Sequence, residues 1–514
     1  MVAQDAREFE HNPTSENGNP AIAENRRLPQ CPIHARFSTS LSFKIAKLNA
    51  SNLRIDLSYR FSDNLSRRRV MKTIHFRLIG SLLWISACAL FAGTDAAPAP
   101  ATPPTDLWEQ NNLTGNWGGL RDQLHDDGAD FYAQYTSEAL GNPYGGNYGQ
   151  GAIYEGLLET RVSFDFEKMT GGAWTGATFR ASSYWTHGPS LTLQDVGDIS
   201  AVSNIDAYDT LRLEDLWLQQ NFFDNKISLE VGQIAADSEF FISQTGLLFV
   251  NGTFGALPLV TYDFEPLDPP IYPLTTTGAR LKLQPFDSVY FMTAVYNGDA
   301  GTQSGNNDGT RFGFSAQKGL LTFSELGYLL NQGKDDKDMP GTYKLGGWVH
   351  TANFSTFSSQ AAFANGTGPL RSAGIGYGIY GVADQTIWRT DLNAKGDPQS
   401  LNFFLRAGAA PSISSMVDFD IDGGLAFTGL IPGRKDDVAG LGLSRSAISH
   451  DYSDFSQATG GPAFKYEAVI EGTYSMNLAP WWQLQPDVQY IFSAGAQAKS
   501  PDALVVGVRS TVTF

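Results

Sequence analysis

The sequence predicts an all-β fold, a transmembrane antiparallel β-barrel with short turns at one rim and long loops at the other. Three observations carry that expectation. The last eleven residues place Leu504, Val506, Val508, Val512 and Phe514 on one face and Gly507, Arg509, Thr511 and Thr513 on the other; Ser510 alone is polar on the apolar side. A period of two without a helical signal is a strand that meets oil on one side and water on the other. The same period recurs along the body, with aromatic clusters near strand ends (Tyr184-Trp185, Trp217, Trp348, Trp388, Trp481-Trp482), where interfacial girdles sit. No run of 18 apolar residues follows the leader, so no transmembrane helix is expected.

The leader comes first in the chain. Residues 1–96 hold 13 Lys+Arg and 8 Asp+Glu, a net of +5, which leaves −22 for the rest. So acidic a body is a poor partner for nucleic acid, because phosphate contacts need clustered cations. Both cysteines, Cys31 and Cys88, lie in the leader, so the body has no disulfide and no thiolate metal site. Met71-Lys72 and Arg77 form a positive n-region, Leu78 to Phe91 is mostly apolar, and Ala92 to Ala97 supplies small residues. Residues 71–96 therefore read as a secretory signal, since the apolar stretch falls short of the ~20 residues of a membrane span. Ile85-Ser86-Ala87-Cys88 imitates a lipoprotein box, but apolar residues continue past the cysteine. Residues 1–70 are polar, Arg-rich and aperiodic, and are expected to be a non-native or disordered extension ahead of a start at Met71. Residues 97–128 form a linker and a short polar helical stretch, Leu120 to Asp127. The barrel is expected over 129–514.

Within the body, Leu158, Thr160, Val162, Phe164 and Phe166 alternate with Glu159, Arg161, Ser163, Asp165 and Glu167. Similar alternation places Arg280 opposite Ala279 and Leu281, Phe404 and Arg406 opposite Leu405, and Glu467 and Glu471 opposite Ala468 and Ile470. A charged residue facing lipid at the midplane costs roughly 2–4 kcal/mol, so the apolar phase is kept clean. Met169-Thr170-Gly171-Gly172 and Phe223-Asp224-Asn225-Lys226 are tight turns, whereas 140–156, 187–210 and 235–277 are long connections. Short turns on a periplasmic rim and long loops on an extracellular rim are the expected asymmetry. About 17 stretches qualify as strands, including 311–317. An even number is required, and the short/long alternation fails between 331 and 415, so a false or split candidate is expected there.

The water face carries the chemistry. Candidate pore-lining and substrate-contact residues are Arg161, Arg180, Arg280, Arg406, Arg509, Glu159, Asp165 and Glu230, with Trp185 and Trp217 as ring-stacking surfaces. Facing Arg and carboxylate groups hold one another while offering donors and acceptors to hydroxyls; each is also explicable as a merely solvated charge. Phe254 is a further ring candidate, with a packing role as the alternative. Asp418 to Gly423 imitates a calcium loop, but its twelfth position is Gly429 rather than Glu, so an acid ladder on a strand is expected. Gly376-Tyr377-Gly378-Ile379-Tyr380-Gly381 matches GxGxxG yet opens no helix; in a strand these glycines relieve crowding beside aromatics. No His/Ser/Asp set stands out, so no enzyme activity is expected, and no cofactor or metal. The loops 187–210 and 235–277 are the candidates for folding inward to narrow the pore.

Leu113-Thr114-Gly115-Asn116-Trp117-Gly118-Gly119-Leu120-Arg121, Ser203 to Ala207, Leu216 to Gln220, Val231-Gly232-Gln233, Asp237 to Phe241, Phe249 to Gly255 and Leu484 to Tyr490 follow one another in an order that resembles the carbohydrate-selective outer-membrane porins (the OprB family). Ser493-Ala494-Gly495-Ala496 departs from the Asn-Pro-Gly turn common there. The resemblance implies a 16-stranded barrel in the Gram-negative outer membrane and passive uptake of monosaccharides or related polyols. It also implies a narrow eyelet with charged side chains and aromatic contacts. A general or organic-acid-selective porin and an outer-membrane barrel hydrolase are the alternatives. Expected partners are outer-membrane lipid and lipopolysaccharide, the barrel-insertion machinery reading Phe514, and sugar; the oligomeric state is left open, a homo-oligomer included.

Overall fold

The computed structural model describes residues 106–302, 305–315, 317–333, 336–390 and 398–514. The leader, with Cys31, Cys88 and the signal at 71–96, lies outside the described residues. Sixteen strands follow in chain order: β1 (Ala129–Gly145), β2 (Ala152–Asp165), β3 (Ala177–His187), β4 (Thr210–Phe222), β5 (Ile227–Ile234), β6 (Thr276–Phe286), β7 (Val289–Asn297), β8 (Leu320–Leu330), β9 (Gly341–Ser355), β10 (Ser372–Arg389), β11 (Ser400–Ala409), β12 (Val417–Thr428), β13 (Val438–Ile448), β14 (Tyr466–Ala479), β15 (Trp482–Phe492) and β16 (Ala503–Thr513). Each pairs antiparallel with its sequence neighbour, and β1 pairs with β16 to close the barrel.

Exposure settles which face meets oil. In β11 Leu405 is 40 % exposed and Arg406 0 %; in β13 Leu441 and Leu443 are each 52 % exposed. In β12 Phe419 and Ile421 stand outside while Asp420 and Asp422 are buried. A soluble sandwich would show the reverse, so the apolar outer belt is a lipid-facing surface. The lone polar residue on the outer face of β16 is satisfied there, because Trp482 Nε1 donates to Ser510 Oγ at 3.0 Å.

The surplus strand candidate is 311–317, not one between 331 and 415. Its described residues, 311–315 and 317, form no strand, and β7 pairs directly with β8 from Val289↔Tyr328 onward. Phe312 and Phe314 alternate in a loop where both stay exposed. Loop length misled because the rim carrying Phe514 (the near rim) also bears the longer connections 331–340 and 390–399, while the far rim has the short 410–416. All strand candidates from 343 to 409 are real.

Glycines on the inner face make room for large rings. A Cβ on Gly327 would lie 2.1 Å from the Tyr290 ring, on Gly346 2.3 Å from Tyr380, and on Gly378 2.1 Å from Trp348. These are cross-strand neighbours, and Gly378 belongs to the GxGxxG-like stretch. Gly378→Leu should therefore destabilise the barrel by about 1–3 kcal/mol, read as a lower temperature at which the folded band is lost on heated SDS gels, with an equivalent change at exposed Ile379 as the neutral control.

Candidate functional site

Two far-rim connections, 188–209 and 235–275, turn into the barrel. A chain buried there cannot leave its main-chain N–H groups bare, and inward carboxylates on the wall take them up. Glu325 of β8 accepts from Phe241 N at 3.1 Å and from the Tyr290 and Tyr380 hydroxyls at 2.7 and 2.9 Å. Asp384 of β10 accepts from Ser243 Oγ at 2.6 Å and Thr245 N at 3.1 Å. Asp420 of β12 accepts from Leu259 N at 2.6 Å. On β14, Glu467 accepts from Ile199 N and Ser200 N at 2.8 and 3.0 Å, and Glu471 from Val250 N and Asn251 N at 2.6 and 2.9 Å.

The loop carbonyls find donors in the same way. Arg406 of β11 donates to Thr253 O at 2.8 Å, Gly255 O at 3.0 Å and Phe241 O at 3.2 Å while its Nε holds Asp422 at 3.0 Å. Gln485 and Gln489 of β15 donate to Leu248 O and Val202 O at 2.7 and 2.8 Å. Hydrogen bonds to charged groups contribute about 1.5–3 kcal/mol each. Apolar packing completes the hold: Phe249 and Phe254 close on Phe404 with ring centroids 5.7 and 6.0 Å away, all three fully buried. Phe254 is thus packing.

The loops hold on to the inner face of β8–β15, and on β2 the inward pair Arg161 and Glu159 keeps 30 % and 21 % of its side-chain surface in solvent. Arg161 pairs with Glu159 at 2.5 Å and lies over Tyr132 at 4.5 Å. Arg280 is fastened by Glu230 at 3.1 Å, Glu239 at 2.7 Å, Ser228 Oγ at 2.7 Å and Gln219 at 2.8 Å. Arg180 lies over Trp217, its guanidinium carbon 4.7 Å from the ring centre, and makes no hydrogen bond or ion pair among the described residues. Registers Arg180↔Trp217, Gln219↔Glu230 and Glu230↔Arg280 make this a continuous patch across β3–β6.

The other candidates lie elsewhere. Arg406 brackets the loop and is fully buried. Arg509 reaches Glu138 and the loop residue Asn204, holding 188–209 to β16. Asp165 is a correction: the last residue of β2, it accepts from Glu167 N at 2.9 Å and Lys168 N at 3.3 Å and so caps a near-rim helical turn. Trp185 is a second correction. It pairs in register with outward Leu158, is 49 % exposed and rests on His187, so it faces lipid.

Sequence reasoning missed Tyr132, Gln219, Glu239 and Glu214. The last gave no periodic signal, because a bulge opposite Ala181–Ser183 shifts the phase of β4; Glu214 then accepts from Ser182 Oγ. Beside it a cavity of about 110 Å³ is lined by Tyr184, Asp237, Tyr272 and Thr275. Burial pushes the carboxyl of the loop residue Asp237 up to about 7, against the N–H it accepts from Tyr272 at 2.8 Å.

A closed barrel with a lipid-facing exterior, an ion-paired inner wall and loops folded into its lumen is an outer-membrane porin. The chain belongs to the carbohydrate-selective porin, OprB family, whose model matches residues 149–514. It is 25 % identical over 467 residues to Porin B of Pseudomonas aeruginosa, covering 85 % of this chain and 98 % of that one. It is 24 % identical over 444 residues to the putative porin QuiX of Acinetobacter baylyi, covering 80 % and 96 %. The high-pH structure of Pseudomonas putida OprB shares the fold at a TM-score of 0.71 and 22 % identity, covering 80 % of this chain and 100 % of that one. The protein is accordingly a carbohydrate porin of the Gram-negative outer membrane.

Proposed function

We propose that the channel carries monosaccharides or related polyols passively, and that the β3–β6 patch is where they are felt. The observation that carries this reading is Arg180: it is held on Trp217 with its donors uncommitted, beside the fastened Arg280–Glu230–Glu239 group. Free planar donors next to fixed acceptors match the alternating hydroxyls of a sugar, and the indole keeps the guanidinium from folding away. Near-rim turns face the periplasm and far-rim loops the exterior, with lipid and lipopolysaccharide on the outer belt. The protein acts as a channel and not as a hydrolase, in line with relatives that are porins.

Liposome swelling with glucose, a size-matched neutral solute and gluconate tests the reading. Glucose entering no faster than the size-matched solute would sink it. An unpaired cation also suits an anionic solute, so gluconate outpacing glucose would establish the organic-acid alternative. Arg180→Gln should slow sugar entry about threefold to tenfold while costing the barrel about 1 kcal/mol, since only the contact with the Trp217 ring is lost.

A further inference from the structure

The β1–β16 seam joins strands far apart in the sequence, whereas every other pair in the barrel is a hairpin. Hairpin ends meet at little entropic cost; closing the seam forfeits the freedom of the whole intervening chain. The seam is also incomplete. Strand pairing with β16 begins at Gln134↔Thr513, but β1 pairs with β2 from Ala129 onward. Residues 129–133 therefore run past the paired part of β16 at the near rim, where Phe514 N donates to Ala133 O at 2.9 Å. A strand edge left this way frays and invites wrong pairing.

The segment before β1 folds back over this notch. Leu113 N donates to Thr513 O at 2.8 Å, and Arg121 Nη2 donates to Phe514 O at 2.9 Å. Trp481 Nε1 donates to Leu107 O at 2.8 Å, and Trp108 stacks on Trp481 at 5.9 Å. The Arg121 guanidinium lies over Trp117 at 4.4 Å, and the Trp117 ring meets Phe131 of the overhang at 6.3 Å. One short stretch thus grips β1 on one side and β15–β16 on the other. This gives a role to the Trp117–Arg121 motif, which lies ahead of the residues matched by the family model.

We propose that residues 107–121 are a seam clasp, a strap that locks β1 to β15–β16 once the barrel has closed and sets how readily the seam opens. Hydrogen exchange on the full chain, comparing native protein with Arg121→Ala and Trp108→Ala, tests it. Amides of 129–135 and 508–514 should exchange about tenfold faster in Arg121→Ala, the effect of losing one charge-assisted hydrogen bond, and about threefold to tenfold faster in Trp108→Ala, which loses its ring stack, while β8 and β9 keep their native rates. Unchanged exchange at the seam, or equal acceleration around the whole barrel, would overturn the proposal.

A second protein guards against variants that fail to assemble. It carries Leu113→Cys and Thr513→Cys with Cys31→Ser and Cys88→Ser, and is compared oxidised and reduced. The crosslinked form should exchange at least tenfold more slowly at 129–135 than the reduced form, with β8 and β9 alike in both. Identical seam exchange in the two forms would also overturn the proposal.

Discussion

Arg406→Ala should destabilise the barrel by about 3–5 kcal/mol, a large share of the margin of any folded domain. The guanidinium is fully buried, ion-paired with a carboxylate that is itself 2 % exposed, and forked across three loop carbonyls. Its removal strands Asp422 as an uncompensated charge and leaves the carbonyls of Phe241, Thr253 and Gly255 without donors. Guanidinium unfolding in lipid vesicles reads the loss. Arg406→Lys should fall between, because an ammonium keeps the charge but not the planar fork. A midpoint for Arg406→Ala within error of the native protein would show that the loop does not depend on this bracket.

Glu471→Ala should act on transport more than on folding. It orphans the N–H groups of Val250 and Asn251, each costing about 1–3 kcal/mol if it stays buried, so the 248–256 turn is driven off the wall toward water. The lumen then widens where Phe249 and Phe254 had filled it. Disaccharide entry in liposome swelling should rise about tenfold, and single-channel conductance should rise with it. Glu471→Gln, which keeps one acceptor oxygen, should show a smaller change. Conductance unchanged in Glu471→Ala would mean that Arg406, Gln485 and the apolar packing hold the loop without it.

What the sequence made legible followed from the solvent. Lipid penalises every misplaced charge, so strands such as β2, β11, β14 and β16 announce their outer face residue by residue. Family motifs then supplied the strand number and the class of solute. The inner face was harder, because a side chain that must be polar looks the same whether it touches water, another charge or a loop backbone. Glu467, Glu471 and Arg406 read as lumen charges, yet the structure spends them on main-chain groups more than 100 residues away in sequence, a relation no local pattern encodes. Asp165 and Trp185 were misplaced for simpler reasons. The first is the terminal residue of its strand and caps the turn beyond it, and the second keeps the outward phase of β3 while its ring chemistry suggested a sugar surface. Loop length was the poorest ruler, since turn size at a rim is not fixed by the hydrocarbon thickness that sets strand length.

The grip on the inner loops has a consequence for how such a channel changes over time. Five wall carboxylates hold loop N–H groups, which every residue except proline supplies, and Arg406 holds carbonyls, which every residue supplies. The scaffold therefore grasps the shape of the insert and is largely indifferent to its lettering. Side chains of 188–209 and 235–275 that face the passage are free to drift, and with them the preference for one solute over another, while the frame that presents them stays put. Diversification and stability are written in separate parts of the molecule, and an engineer can revise the first without reopening the second.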